Sequence, residues 1–201
     1  MLHINYQSGV VVQLVRTPAC HAGGREFESR LSRHFIFMFA PESKLICRAE
    51  FSQQRTLLKQ NHRRLVVTNG CFDLLHVGHV RFLKQAAQQG DALWVGINSD
   101  ASVKRLKGPL RPIYPQNARV ALLSALACID AVFVFEGTDL AEELAIICPD
   151  IYVKAGDYTL ESLNKNERQA LQACRASIRF LKFIDGWSTT TTIQKIRQSY
   201  L

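Results

Sequence analysis

Thr68-Asn69-Gly70-Cys71-Phe72-Asp73-Leu74-Leu75-His76-Val77-Gly78-His79 stands where an apolar strand, Leu65 to Thr68, gives way to a helix. The first N–H groups of a helix have no intrahelical partner and point outward, so this kind of junction receives phosphate readily. Gly78 would let a phosphate oxygen approach the backbone, and two imidazoles could donate to it. A lone His-x-x-His is usually a turn with surface histidines. Gly70, Phe72 and Asp73, at their particular offsets before the pair, argue against that reading here.

Outward from this stretch, strand and helix signals alternate. Apolar runs predict strands over 65–68, 92–98, 131–135, 151–154 and 178–183. Helical spacing predicts helices over 77–89 (closed by Gly90), 101–106, 117–128, 138–147 (capped by Thr138 or Asp139), 166–174 and 189–200. Near-continuous apolar strands alternating with helices imply an α/β, Rossmann-like parallel sheet with helices on both faces. In such sheets a ligand lies at the carboxyl ends of the strands. The motifs that follow all fall just after strands.

Behind the second strand comes Asn98-Ser99-Asp100, then Lys107-Gly108-Pro109-Leu110-Arg111-Pro112-Ile113. Glycine and two prolines constrain this loop, and its Lys and Arg suit phosphate oxygens as point charge and planar fork. Behind the fourth is Val153-Lys154-Ala155-Gly156-Asp157-Tyr158. Gly186-Trp187-Ser188-Thr189-Thr190 opens the last helix, where hydroxyls can cap the helix or hold phosphate.

The Gly-x-Phe-Asp-x-x-His-x-Gly-His pattern of residues 70–79 resembles the signature of the cytidylyltransferase-like nucleotidyltransferases, relatives of class I aminoacyl-tRNA synthetases. Lys-Ala-Gly-Asp-Tyr resembles the family's Lys-Gly-Gly-Asp-Tyr, with Ala155 replacing a glycine, a residue that often marks positive φ. Gly-Trp-Ser-Thr-Thr resembles its Gly-x-Ser-Thr-Thr. A synthetase would carry a lysine-rich Lys-Met-Ser-Lys-Ser loop there instead. The resemblance implies transfer of a nucleoside monophosphate from a nucleoside triphosphate to a phosphate-bearing acceptor, with release of pyrophosphate.

On that basis His76 and His79 are expected on the triphosphate, Lys107 at its α/β region and Arg111 at a phosphate of nucleotide or acceptor. Asn69, Gly70, Cys71 and Phe72 would wall the nucleotide, with Asp73 bracing the loop. Asp100 and Asp157 are expected near the nucleotide or acceptor, and Ser188, Thr189 and Thr190 on the departing pyrophosphate. Mg²⁺ is expected on the nucleotide's phosphates, with no protein cage of its own.

The pattern from Val66 to Thr190 is most similar to the adenylyltransferase branch of the family that makes ADP-heptose from ATP and heptose 1-phosphate. A separate sugar kinase would then act upstream, and the resemblance allows a homodimer. A cytidylyltransferase acting on glycerol 3-phosphate or a related acceptor is the rival enzyme. A non-catalytic nucleotide- or RNA-binding module is a third reading, against which the presence of His76, His79 and Lys107 counts.

The 201 residues suit one domain with a sizeable core, or one domain with an appendage. Net charge is +8, but residues 1–64 carry +6 of it and residues 65–201 only +2. A general nucleic-acid-binding face is therefore not indicated. No apolar run reaches the roughly 18 residues of a membrane span. Six scattered cysteines without a Cys-x-x-Cys pair point to reduced thiols and a cytoplasmic setting.

Residues 1–37 show no sustained period. Gly9 to Ala22 loosely mimics a signal peptide, but it lacks a basic start and Gln13 interrupts its apolar run. Val15 to Arg30 instead reads like a translated transfer-RNA gene, since Glu26-Phe27-Glu28-Ser29 can be encoded by GAG-TTC-GAG-TCN with its T-loop GTTCGA core. The expected organisation is thus a gene-start artefact or disordered extension over 1–37, a helical lead-in over 38–64, and a nucleotidyltransferase domain over 65–201.

Overall fold

The computed structural model describes residues 44–156, 158–182 and 186–200. The expectations for residues 1–37, for the start of the lead-in, for Asp157 and for the strand end at Phe183 lie outside the described residues. Five strands form one parallel sheet: β1 (Leu65–Gly70), β2 (Ala92–Asn98), β3 (Ala131–Phe135), β4 (Ile151–Ala155) and β5 (Ser177–Leu181), in the order β3-β2-β1-β4-β5. The order reverses direction between β1 and β4, the switch point where doubly wound sheets open a crevice at the strands' carboxyl ends.

The helices are α1 (Phe51–Gln60), α2 (Val77–Ala87), α3 (Asp100–Lys107), α4 (Gln116–Ser124), α5 (Ala141–Ile147), α6 (Lys165–Ala173) and α7 (Thr189–Tyr200). Alternate strand residues feed two cores. Leu65, Val67, Trp94, Phe133 and Tyr152 meet α1, α5 and α6 on one face. Val66, Leu93, Val95, Val132 and Val153 meet Phe82, Leu83, Val120 and Leu123 of α2 and α4 on the other. Burial on both faces explains why the strands read as unbroken apolar runs. The lead-in belongs to this core: Phe51 is 1% exposed, with its ring 4.9 Å from that of Phe133.

Aspartates fasten the amino ends of the strands. Asp150 accepts from the Leu65 N–H at 2.7 Å, Asp130 from Leu93 at 2.8 Å and Asp91 from Arg64 at 2.8 Å. At the other end, β1 pairs with β2 along its whole length but with β4 only at Val66↔Ile151 and Val67↔Tyr152. Beyond that register, β1 and β4 have parted.

Several expectations need correction. The helix after β1 ends at Ala87, and Gly90 does not close it. Gly90 is required for close approach, because a Cβ there would lie 2.8 Å from the Arg64 carbonyl oxygen. Helix α5 starts at Ala141, not Thr138, with Asp139 accepting from the Ala141 N–H. Helix α4 stops at Ser124, four residues short of Cys128. Nor are all six cysteines separate thiols, since Cys148 and Cys174 pair as a disulfide. Each follows the last turn of α5 or α6, and those helices pack side by side, which no sequence spacing announced.

Gly90→Ala forces a methyl against main chain that cannot retreat, and it should cost about 1–3 kcal/mol of stability in urea unfolding. An unchanged midpoint would contradict the close-approach reading.

Candidate active site

Helix α2 begins with its polar residues already committed. His76 is the N-cap, its Nδ1 accepting the His79 backbone N–H at 3.4 Å. Because Nδ1 is an acceptor, the His76 proton sits on Nε2, free to donate outward. The two imidazoles stack, with centroids 3.7 Å apart. A Cβ on Gly78 would lie 3.0 Å from the His76 ring and 3.1 Å from the Trp187 Cβ, so the glycine seats protein groups, joining the first motif to the last.

Burial lowers His76, and it takes His79 from its ordinary 6.5 to about 4, with His76 adding to the effect. Both rings are therefore neutral near neutral pH. The Nδ1 of His79 is buried and has no hydrogen-bond partner. Phe72 sits beside it at positive φ (45°), ring to ring at 5.1 Å.

Two buried charged residues organise the loops around this junction. Asp73, 3% exposed, accepts the N–H groups of Ile113 (2.6 Å) and Tyr114 (3.2 Å) and pairs with Arg111 Nε. It thereby fastens the Lys107–Tyr114 loop to the first motif. Arg119, fully buried on α4, donates to the carbonyls of Tyr114 (3.1 Å) and Cys71 (2.7 Å) and to Asp100 Oδ1 (2.9 Å). Sequence reasoning passed over Arg119. Its only signal was an arginine beside Val120 on the apolar side of a helix.

Helix α7 is capped by Ser188, whose Oγ accepts the Thr191 N–H at 3.0 Å. The capping role foreseen for these hydroxyls thus falls to Ser188, leaving Thr189 and Thr190 at the helix start. At β4, Ala155 ends the strand without positive φ, which falls instead on Gly156 (108°). The alanine therefore fits where the resembling motif has glycine.

These loops enclose a cleft of about 360 Å³ at the carboxyl ends of β1 and β4, within the range of small-molecule sites. Asn69, Gly70, Cys71, Phe72, Asp73, His79, Lys107, Arg111, Thr189 and Thr190 line it. Lys154, Ala155 and Tyr158 join them from the stretch about the end of β4 that the sequence singled out, and Phe82 joins them unforeseen. Asp100, paired with Arg119, and the capping Ser188 do not line it; nor does His76, which contacts His79. Among the described lining residues Asp73 is the one acid, and its oxygens are spent on the Arg111 loop. Burial raises the Cys71 thiol, which lies 3.6 Å from Asn98 Oδ1, so no thiolate is offered.

A parallel sheet opened at its switch point, with two helix N-termini and the cations Lys107 and Arg111 about one cleft, defines a nucleotide-binding α/β domain for a polyphosphate ligand. The cytidylyltransferase-like family model matches residues 67–195. The chain belongs to this family of nucleotidyltransferases. It is 37% identical over 196 residues to the bifunctional protein HldE of Syntrophotalea carbinolica, covering 98% of this chain and 39% of that one. The bifunctional protein HldE of Geobacter sulfurreducens is 44% identical over 142 residues, covering 71% and 29%. The chain therefore spans two-fifths or less of the length of these relatives. A lipopolysaccharide core biosynthesis protein from Thermoplasma volcanium is 28% identical, with a TM-score of 0.49 over 61% of this chain and 97% of that one.

The depressed His79 has a defined pH signature. The unfolded chain takes up this proton near pH 6.5 and the folded chain only near 4, so stability is lost as pH falls through that window. In His79→Gln the urea midpoint should fall less than in the parent between pH ~7 and ~5. An equal fall would show that His79 is not held neutral.

Proposed function

We propose that the protein transfers AMP from ATP to a sugar 1-phosphate, heptose 1-phosphate, giving ADP-heptose and pyrophosphate. The observation that carries this reading is the convergence of the α2 and α7 N-termini with Lys107 and Arg111 on one cleft. The choice of ATP and heptose 1-phosphate rests on the pattern from Val66 to Thr190 and on similarity to one part of the bifunctional relatives.

The acceptor's phosphate oxygen attacks the α-phosphorus in line. A new P–O bond forms, the bond to the bridging oxygen of the β-phosphate breaks, and the electron pair leaves with pyrophosphate. Neither oxygen needs a proton removed or added by the protein, so catalysis reduces to positioning and charge stabilisation. Lys107 and the terminal nitrogens of Arg111 are assigned to the phosphates under attack. Arg111 keeps those nitrogens available because Asp73 engages its Nε. His79 and His76 donate as neutral imidazoles, and Thr189 and Thr190 meet the departing pyrophosphate at the start of α7. Ser188 supports them as the cap.

Magnesium fits this site as a passenger of the nucleotide. Among the described residues no group of His, Cys, Asp or Glu is arranged to hold a metal, and Asp73 is already engaged. Bound there, it would neutralise phosphate charge, and the residues that meet it are those that meet the phosphates. Among the described residues no helix is long and apolar enough to cross a membrane.

Pyrophosphate release by the full chain, with ATP or CTP against a panel of sugar phosphates and glycerol 3-phosphate, tests the reading. ATP with heptose 1-phosphate should be the best pair. Preference for CTP with glycerol 3-phosphate would replace it by the rival enzyme, and no turnover with any pair would leave a binding module. His79→Ala and Lys107→Ala should each stay folded and lose about 10² to 10³-fold in turnover. Near-normal rates would refute these two assignments.

A further inference from the structure

Where β1 and β4 part, their side chains are joined by a closed polar network. Tyr152, fully buried on β4, and Lys154, two residues on, point to the same side as Asn69 of β1 and Glu167 of α6. Lys154 Nζ donates to Asn69 Oδ1 (2.9 Å), Tyr152 Oη (2.8 Å) and Glu167 Oε2 (3.1 Å). Tyr152 Oη donates to Asn69 Oδ1 at 2.8 Å and also lies 3.2 Å from Glu167 Oε2. Glu167 is 2% exposed, and its Oε1 accepts the Leu140 N–H at 3.1 Å. Burial and the Glu167 carboxylate push the Tyr152 phenol well above its ordinary 10, so it stays a donor.

Counting protons decides what this network is for. An ammonium has three, and Lys154 has an acceptor in the protein for each of them. Lys154 lines the cleft, yet none of its protons is left for a ligand. Asn69 is constrained in the opposite sense. Both groups facing its side chain are donors, so the carbonyl oxygen must turn toward them; the flipped amide would set NH₂ against an ammonium. The Nδ2 donor therefore points the other way, and Asn69 lines the cleft with no partner for Nδ2 among the described residues.

We propose that Tyr152, Lys154 and Glu167 are positioning residues that fix Asn69 as a hydrogen-bond donor to an oxygen of the bound substrate. Lys154 is then not a phosphate-binding lysine, in contrast to Lys107. The inference deepens the proposed function and rests on its two substrates, because the accepting oxygen belongs either to the nucleotide or to the sugar phosphate. The Lys154–Glu167 pair between β4 and α6 is an expensive support, since ions buried together rarely gain much stability over apolar neighbours. Its return is orientation: an amide that could face either way is held in one.

Asn69→Asp is the discriminating variant. It keeps an oxygen for Lys154 and Tyr152, adds attraction to Lys154, and replaces only the outward NH₂ by oxygen. Its thermal midpoint should be no lower than the parent's, while binding of one substrate weakens about ten-fold or more. Calorimetric titration with Mg-ATP and, separately, with heptose 1-phosphate shows which substrate supplies the oxygen. It needs no turnover, so it stands even if the proposed transfer fails. The neutral pair Lys154→Met with Glu167→Gln should weaken the same substrate by a smaller factor and leave kcat within about three-fold. Parent-like affinity of Asn69→Asp for both ligands would overturn the donor role. Loss of kcat in the double variant as large as in Lys107→Ala would overturn the positioning role and make Lys154 a phosphate ligand.

Discussion

Two pairs of residues, Val66↔Ile151 and Val67↔Tyr152, are all the register that β1 shares with β4, and the cleft depends on that brevity. The aspartates hold the amino ends of the sheet together by binding the first N–H groups of neighbouring strands. At the carboxyl ends, among the described residues, nothing comparable closes the seam in the backbone, so Asn69 and Gly70 on one side face Lys154 and Ala155 on the other across a gap. Parting two strands of a parallel sheet exposes polar main chain that must find partners. Side chains that span the gap while leaving a donor edge free make the opening stable and chemically specific at once.

Around this opening the charges are unevenly distributed for a reason. Asp73 and Arg119 are buried and turned toward protein groups, tying together loops that follow β1, β2 and the start of α4. Neither has charge to spare. Asp73 neutralises part of Arg111, Asp100 is occupied by Arg119, and Lys154 is answered by Glu167. Among the described residues Lys107 has no such counter-charge, which leaves the described part of the cleft with a local excess of positive charge where a polyanion would arrive. The nearly balanced charge of residues 65–201 and a cationic site are thus compatible. The balance is achieved by pairing acids with bases that serve as struts.

Most of the architecture was legible because burial on both faces of a parallel sheet writes strands as unbroken apolar runs, and all five appear at the expected places. The helix ends were less legible, since local side-chain bonds and tertiary packing compete there: Asp139 accepts the Ala141 N–H, yet the cap of α5 falls on Leu140, whose side chain is fully buried. Much of the cleft's lining could be named because helix N-termini and Lys/Arg loops carry local signatures. Its struts could not. Arg119 reaches Cys71 48 residues away, Tyr152 reaches Asn69 83 away and Glu167 reaches Leu140 27 away, and such distances leave no trace in spacing. One clue was available: a tyrosine and a lysine two apart in an otherwise apolar strand must share a face, and so must share a partner. The disulfide between Cys148 and Cys174 was hidden for the same reason, arising from the packing of two helix ends.

What the site lacks is as informative as what it holds, among its described residues. It offers no carboxylate free to take a proton, its thiol is held protonated, and its histidines are kept neutral by burial and by each other. For chemistry that needed a base these would be defects. The proposed transfer begins from an acceptor phosphate that is already an anion and ends on a pyrophosphate that leaves as one. A general base would have nothing to remove, and a low-pKa acid would add negative charge where the transition state least tolerates it. Neutral imidazoles, main-chain N–H groups and hydroxyls donate without carrying protons that could be lost, and the cations supply field without transferring anything. On this view the stacking of His76 on His79 is part of the design of the site. A doubly protonated pair at 3.7 Å would repel itself, whereas a neutral pair stays stacked with one N–H on each ring.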